Sequence, residues 1–152
     1  YIDSAALGIL LLLRDKATAP GVKVELANLQ GTVKDVLEIA NFHKIYARVK
    51  PNVDKLFSLQ PKTKFEIRRT EAFREKSAAA GYSQGAADGS RPGIFYVPIP
   101  DILDYNTFRD EDLFLHEAIP GHHFQISLQQ ESTILPDFRK FNWFGAYGEG
   151  WA

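Results

Sequence analysis

The chain has 152 residues, 45% hydrophobic and 24% charged, which is too apolar for a disordered segment and long enough for one domain with a real core. Lys and Arg number 18 against 19 Asp and Glu, leaving a net charge of −1, so neither a nucleic-acid partner nor attraction to an anionic membrane is expected. With no cysteine, disulfides and thiolate metal sites are excluded.

Asp3 and Ser4 can cap a first helix that runs to about Thr18 and stops at Pro20-Gly21. Its apolar run, Ala5 to Leu13, is too short to span a bilayer, which takes about 20 residues. It also lacks the basic start and cleavage site of a signal peptide, so it reads as a buried helix. Val22, Val24 and Leu26 alternate with charged residues as a short strand would. After Gly31, Thr32 and Asp35 open a second helix whose apolar positions continue through Phe42, Ile45, Tyr46 and Val49. Pro51 is expected to end it, and Asn52 to cap a short helix through Leu59. His43 reads as a partly buried or surface side chain.

Phe65 and Ile67 alternate with Lys64, Glu66 and Arg68, the pattern of a strand. Thr70 to Ala80 reads as helix, and Ser77 to Gly93, small and glycine-rich, as a long loop. Ile94-Phe95-Tyr96-Val97 lies between Pro92-Gly93 and Pro98, so a short strand at a sheet edge is expected. Asn106 or Thr107 can cap the next helix, and Asp110, Glu111 and Asp112 suit its positive end. Helix resumes from Phe124 to about Glu131, and Pro136 starts another. The last stretch is aromatic, with Gly145, Gly148 and Gly150 offering room for a close approach between helices.

Three of the four histidines fall in His116-Glu117-Ala118-Ile119-Pro120-Gly121-His122-His123. The pattern is a stretched form of H-E-x-x-H, in which two histidines one turn apart hold zinc and the glutamate activates water. In a straight helix His122 would lie roughly 120° from His116, and His123 only about 20° off but ~10 Å along the axis. Zinc–nitrogen bonds of about 2.0–2.1 Å cannot bridge that rise. Either the helix is locally widened or one histidine is not a ligand, and Pro120 and Gly121 are the pair expected to bulge the helix so that His122 swings back beside His116. His122 is therefore the expected second ligand and His123 the alternative.

The run HEAIPGHHFQ, residues 116–125, resembles the signature of the bacterial domain-of-unknown-function 885 family, which is similar to the gluzincin metallopeptidases. Gly89 to Val97 resembles that family's glycine-rich lead into an edge strand, Leu135 to Arg139 its spacer, and Tyr147 to Ala152 its E-G-W-A segment. The likeness runs from about Thr32 to the chain's last residue. It implies Zn2+ held by His116, His122 and Glu149, with an open place for water, and Glu117 as the general base. Tyr147 and His123 are candidates to stabilise the oxyanion. Extended substrate would lie against the edge strand at Phe95 and Tyr96, with Arg91 either meeting a carboxylate or making a structural salt bridge.

The expected architecture is mainly α with a small antiparallel sheet, α+β, built like a zincin core. The 152 residues read as one domain. The absence of methionine and the unfinished look of Trp151-Ala152 suggest a piece of a larger enzyme. The leading function is a zinc-dependent peptidase or amide hydrolase acting on a peptide or small amide. The alternatives are an inactive zinc-binding module for peptides or a protein partner, and a zinc hydrolase of a non-peptide amide or ester. The resemblance alone places it in the bacterial periplasm or cell envelope.

Overall fold

The structure, a computed structural model, describes residues 32–99 and 107–152. The expected first helix, its apolar run and the strand at Val22 to Leu26 lie outside these residues, as does Asn106. Backbone contacts divide the chain into Tyr1–Glu38 and Ile39–Ala152, and the second unit carries the sheet, the core and the candidate site.

Helix α1, Thr32–Leu56, buries Phe42, Ile45, Val49 and Val53, a stripe with helical spacing. It runs straight through Pro51, where the sequence led us to expect its end. Pro51 lies on the exposed face, so the carbonyl that loses its donor there can turn to water. Asn52 adds a side-chain bond, its Nδ2 donating to the Arg48 carbonyl at 3.3 Å. No separate helix starts at Asn52.

Strands β1 (Phe65–Arg69), β2 (Gly81–Ser83) and β3 (Gly93–Val97) form one sheet in the order β1-β3-β2. The sheet is mixed, not antiparallel: β1 and β3 run parallel, while β2 and β3 are antiparallel. The cause is the long segment after Arg69, which carries the chain back to start β3 in the direction of β1. Turns rather than a helix follow Thr70, and the supposed loop contains β2. Position at the edge also falls to β2, because β3 has a neighbour on each side. Pro92 and Pro98 flank β3 without entering it, so neither removes an amide that its ladder needs.

A 3-10 turn, Thr107–Arg109, leads into α2, Asp110–Glu117. Helices α3 (His122–Glu131), α4 (Asp137–Lys140) and α5 (Gly145–Trp151) complete the described chain. The core joins the α1 stripe to Phe95, Val97, Ile99, Phe114, Ala118, Ile119 and Phe124. Asn41 Nδ2 donates to the buried Asp110 carboxylate at 2.7 Å, which ties α1 to the start of α2. Below the sheet, Glu131 at the end of α3 accepts from the Lys62 and Thr63 amides and the Thr63 hydroxyl. The result is α+β, with the motif helices seated on the sheet. Among the described residues no helix is long and apolar enough to cross a membrane.

Candidate metal centre

The motif does not bulge one helix; it splits into two. Helix α2 ends at Glu117, the Ile119–Pro120 peptide is cis, and α3 begins at His122. Gly121 is buried in the corner, and a Cβ there would overlap the carbonyl of His116. Only a residue without a side chain lets the chain pass that close. The corner brings the His116 and His122 rings to 4.6 Å between centroids, edge to face.

Glu149 arrives from α5. Its Oε2 lies 3.5 Å from His116 Nε2 and 3.5 Å from His122 Nε2. One donor atom from each of the three residues falls within 4.8 Å of the others. Two ligands of one zinc ion, each about 2.0–2.1 Å from it, sit roughly 3–3.5 Å from each other, the spacing at which Glu149 stands from each histidine. Burial, together with the His116 charge, holds the His122 imidazole below its ordinary pKa, while Glu149 pulls the other way. Its ring therefore stays neutral near pH 7 and keeps a lone pair for a cation. The side chain of His122 is 10% exposed against 60% for Glu149, so the cluster opens to solvent on the carboxylate side. His122 Nδ1 is buried with no hydrogen-bond partner among the described residues.

Glu117 lies beside the three. It is buried, and burial pushes its carboxyl above the usual range. The His116 charge and a hydrogen bond from the Tyr82 amide on β2 draw it back, and Glu149 adds repulsion. A buried carboxylate with raised affinity for a proton is the type that works as a base near neutral pH.

The other expected site residues lie elsewhere. His123 turns away from the cluster into the core, stacked on Phe65 at 4.6 Å, with Nδ1 2.9 Å from the Tyr82 hydroxyl. Tyr147 is exposed and lines a cavity of about 530 Å3 with Leu128, Leu135 and Phe144. Standing two residues before Glu149 on α5, it points roughly 160° away from that carboxylate. Arg91 is exposed in a loop beside Lys62 and Glu66. Phe95 is wholly buried, 5.2 Å from Phe42, and Tyr96 is capped by the Arg74 guanidinium at 5.0 Å. β3 is thus closed to a pairing substrate, which corrects the expected role of Phe95 and Tyr96.

Two contributors escaped the sequence reading. The Trp143 indole faces His122 at 5.6 Å, and a Cβ on Gly148 would overlap it. The glycine of α5 thus makes room for a tryptophan rather than for the motif helix. Trp151 Nε1 donates to the Pro120 carbonyl at 2.6 Å, tying α5 to the corner. The crowding of aromatics on either side of Glu149 was the available signal for both.

The pattern of bacterial proteins of unknown function, DUF885, matches residues 29–152. That of the STAS domain matches residues 1–56. The STAS-domain containing protein PA14_20770 of Pseudomonas aeruginosa (strain UCBPP-PA14) is 46% identical over 46 residues, covering 30% of this chain and 46% of that protein. Among solved structures, that of "the putative lipoprotein from Colwellia psychrerythraea" is similar in fold, with a TM-score of 0.73 at 24% identity. The match covers 96% of this chain and 24% of that one, so this chain spans about a quarter of its structural relative.

Proposed function

The chain belongs to the bacterial DUF885 family, and on that premise we propose that the protein is a zinc-dependent peptidase or amide hydrolase working in the manner of the gluzincins. The observation that carries this reading is the convergence of His116, His122 and Glu149 with the buried Glu117 beside them. His116, His122 and Glu149 would hold the ion. When bound, zinc supplies a Lewis acid that polarises an amide carbonyl and makes water a stronger acid.

The chain's own part is proton handling and placement. A carboxylate oxygen of Glu117 takes a proton from the attacking water and returns it to the leaving amine nitrogen. Its burial shields that carboxyl from bulk water before substrate arrives. An extended substrate would run along β2, Gly81–Ser83, which pairs with β3 alone among the described strands. The Colwellia relative's description as a lipoprotein supports a cell-envelope location as part of the same proposal.

The test uses full-length protein. Elemental analysis is expected to find about one zinc per chain, and Glu117→Gln to keep that zinc while losing at least about 100-fold in hydrolysis of a peptide library. Undiminished hydrolysis would remove Glu117 from the base role. No zinc, even after reconstitution, would turn the reading towards a module that binds peptides without cutting them.

A further inference from the structure

Between α1 and the stretch that enters β1 lies a cavity of about 330 Å3, lined by none of His116, Glu117, His122 and Glu149. One wall is a face of α1, where His43, Tyr46 and Lys50 stand at helical spacing. Phe65 and Ile67 of β1 form the other. Ile119, His123 and Phe124, from the corner and the start of α3, join them. Tyr46 meets Phe65 edge to face at 5.7 Å, and Phe65 lies 4.6 Å from the His123 ring, so the interior is largely aromatic. At about 30 Å3 for each water-sized group, the volume takes roughly 11 of them, the bulk of a small aromatic acid.

Several polar groups of this lining are already engaged. Gln60 Nε2 donates to the Phe57 carbonyl at 2.9 Å, the Thr63 hydroxyl to Glu131 at 2.8 Å, and Lys50 is paired with Asp54. One buried donor and two cations are left over. His123 is only 2% exposed, and its Nδ1 stands 2.9 Å from the Tyr82 hydroxyl and 3.3 Å from that of Ser127. A phenol is a stronger acid than a neutral imidazole, so Tyr82 donates and the ring proton sits on Nε2. Nε2 has no partner among the described residues, yet it is not sealed from solvent as His122 Nδ1 is. At the mouth, Lys62 and Lys64 are exposed and make no ion pair among the described residues. No carboxylate lines the cavity; Glu131, beside them, accepts from the Lys62 and Thr63 amides.

We propose that this cavity binds a small aromatic carboxylate that carries an oxygen at the far end of its ring. The carboxylate meets Lys62 and Lys64, whose flexible stems let them close on it. The ring lies among Tyr46, Phe65 and Phe124, and the far oxygen accepts from His123 Nε2. A ligand without that oxygen leaves a buried donor unpaired, and an ammonium in place of the carboxylate meets two like charges. Two sources share this chemistry: a free hydroxyaryl acid, and the last residue of a peptide that ends in tyrosine. The site is independent of the hydrolase reading and gives buried His123 a role that does not involve holding a cation.

The test is a calorimetric titration of the full-length protein with 3-(4-hydroxyphenyl)propionate. One site per chain is expected, with a Kd of about 0.1–1 mM, ordinary for a ligand of about 12 non-hydrogen atoms. Tyramine, with the same ring and oxygen but the opposite charge, should bind at least about tenfold more weakly, and 3-phenylpropionate about fivefold more weakly. The double variant Lys62→Ala/Lys64→Ala changes two exposed side chains and should keep its fold. It is expected to lose at least about tenfold in affinity for the acid and none for tyramine. In nitrogen-15 spectra the His123 Nε2 resonance should move as the acid saturates the wild-type protein. N-acetyltyrosine separates the sources: tighter binding than the free acid identifies a peptide end, and weaker binding the free acid. Absence of saturable binding overturns the proposal. So does equal affinity for tyramine, full affinity in the double variant, or an unmoved His123 resonance at saturation. Binding that disappears when zinc is chelated would put the carboxylate on the ion at the cluster, and overturns it too.

Discussion

His116 Nε2 and Glu149 Oε2 stand 3.5 Å apart, joined across the whole span from α2 to α5, while His123, the immediate neighbour of His122, packs in the core against Phe65. The corner at Gly121 sets this. It starts a new helix at His122, so consecutive imidazoles emerge about 100° apart, one towards the carboxylate and one into the core.

The two adjacent histidines should therefore fail differently. His122→Gln is expected to lower zinc affinity by more than the roughly 10–100-fold that loss of an outer-shell partner costs, with little change in Tm. His123→Gln removes a ring packed on Phe65 and bonded to Tyr82, and should cost about 2–4 kcal/mol of stability with zinc affinity largely kept. Chelator competition and urea denaturation on the same preparations separate the two. The opposite pattern would exchange their roles.

Gly121→Ala is expected to damage fold and site together. The added Cβ meets backbone, the His116 carbonyl, which cannot swing aside as a side chain would. A cost of about 2–3 kcal/mol lowers Tm by roughly 4–12 °C for a chain of this size. His116 and His122 should part enough to weaken zinc binding. A scanning calorimetry trace and a zinc titration that both match wild type would show that the corner has slack.

Far from the cluster, acid should weaken the fold through Glu75. This buried carboxylate takes two hydrogen bonds from Arg69 and one from the Ile99 amide, which ties the end of β1 to the segment after β3. The Arg69 guanidinium holds its pKa below the ordinary value of 4.5 despite burial. A carboxyl with a depressed native pKa binds fewer protons folded than unfolded. Its contribution is complete above about pH 4.5 and is lost as pH falls through the lower native value. Glu75→Gln should cost about 2–3 kcal/mol at pH 7 and flatten the fall in stability below pH 4.5. Urea midpoints from pH 3 to pH 7 for both proteins give the comparison, and parallel curves would remove Glu75 from the acid response.

Which side chains come together here was easier to read from the sequence than what surrounds them. His116, Glu117 and His122 were legible because the Pro-Gly pair admits few local solutions, and Glu149 through the resemblance of the segment around it. The helix through Pro51 was not, since a proline's effect depends on which face it occupies, and that is settled by tertiary packing. Strand β2 was missed because Gly81-Tyr82-Ser83 carries no alternation of its own; β3 and the buried partners of Tyr82 hold it. With β2 unseen, β3 looked like an edge, and Phe95 and Tyr96 were assigned to substrate. Tyr147 was drawn in by nearness to Glu149 along the chain, although two positions on a helix place side chains on nearly opposite faces.

Gly148 offers the sharpest test of how α5 is seated, since it holds no ligand. The Trp143 ring fills the space above it and meets His122 at 5.6 Å, so tryptophan, glycine and histidine are in line. In Gly148→Ala the methyl and the indole cannot occupy the same place. Trp143 is about half exposed and α5 is short, so the conflict resolves by movement of the indole or of the helix rather than by unfolding. Either movement separates Glu149 from His122. Alanine also favours helix over glycine by about 1 kcal/mol, so Tm should hold or rise slightly. The expected outcome is thus a variant as stable as wild type that binds zinc at least about tenfold more weakly, with tryptophan emission shifted to the red as Trp143 moves into water. Weaker binding with unchanged emission would mean that the loss does not pass through Trp143. Unchanged affinity with shifted emission would mean that Glu149 reaches the histidines without its support.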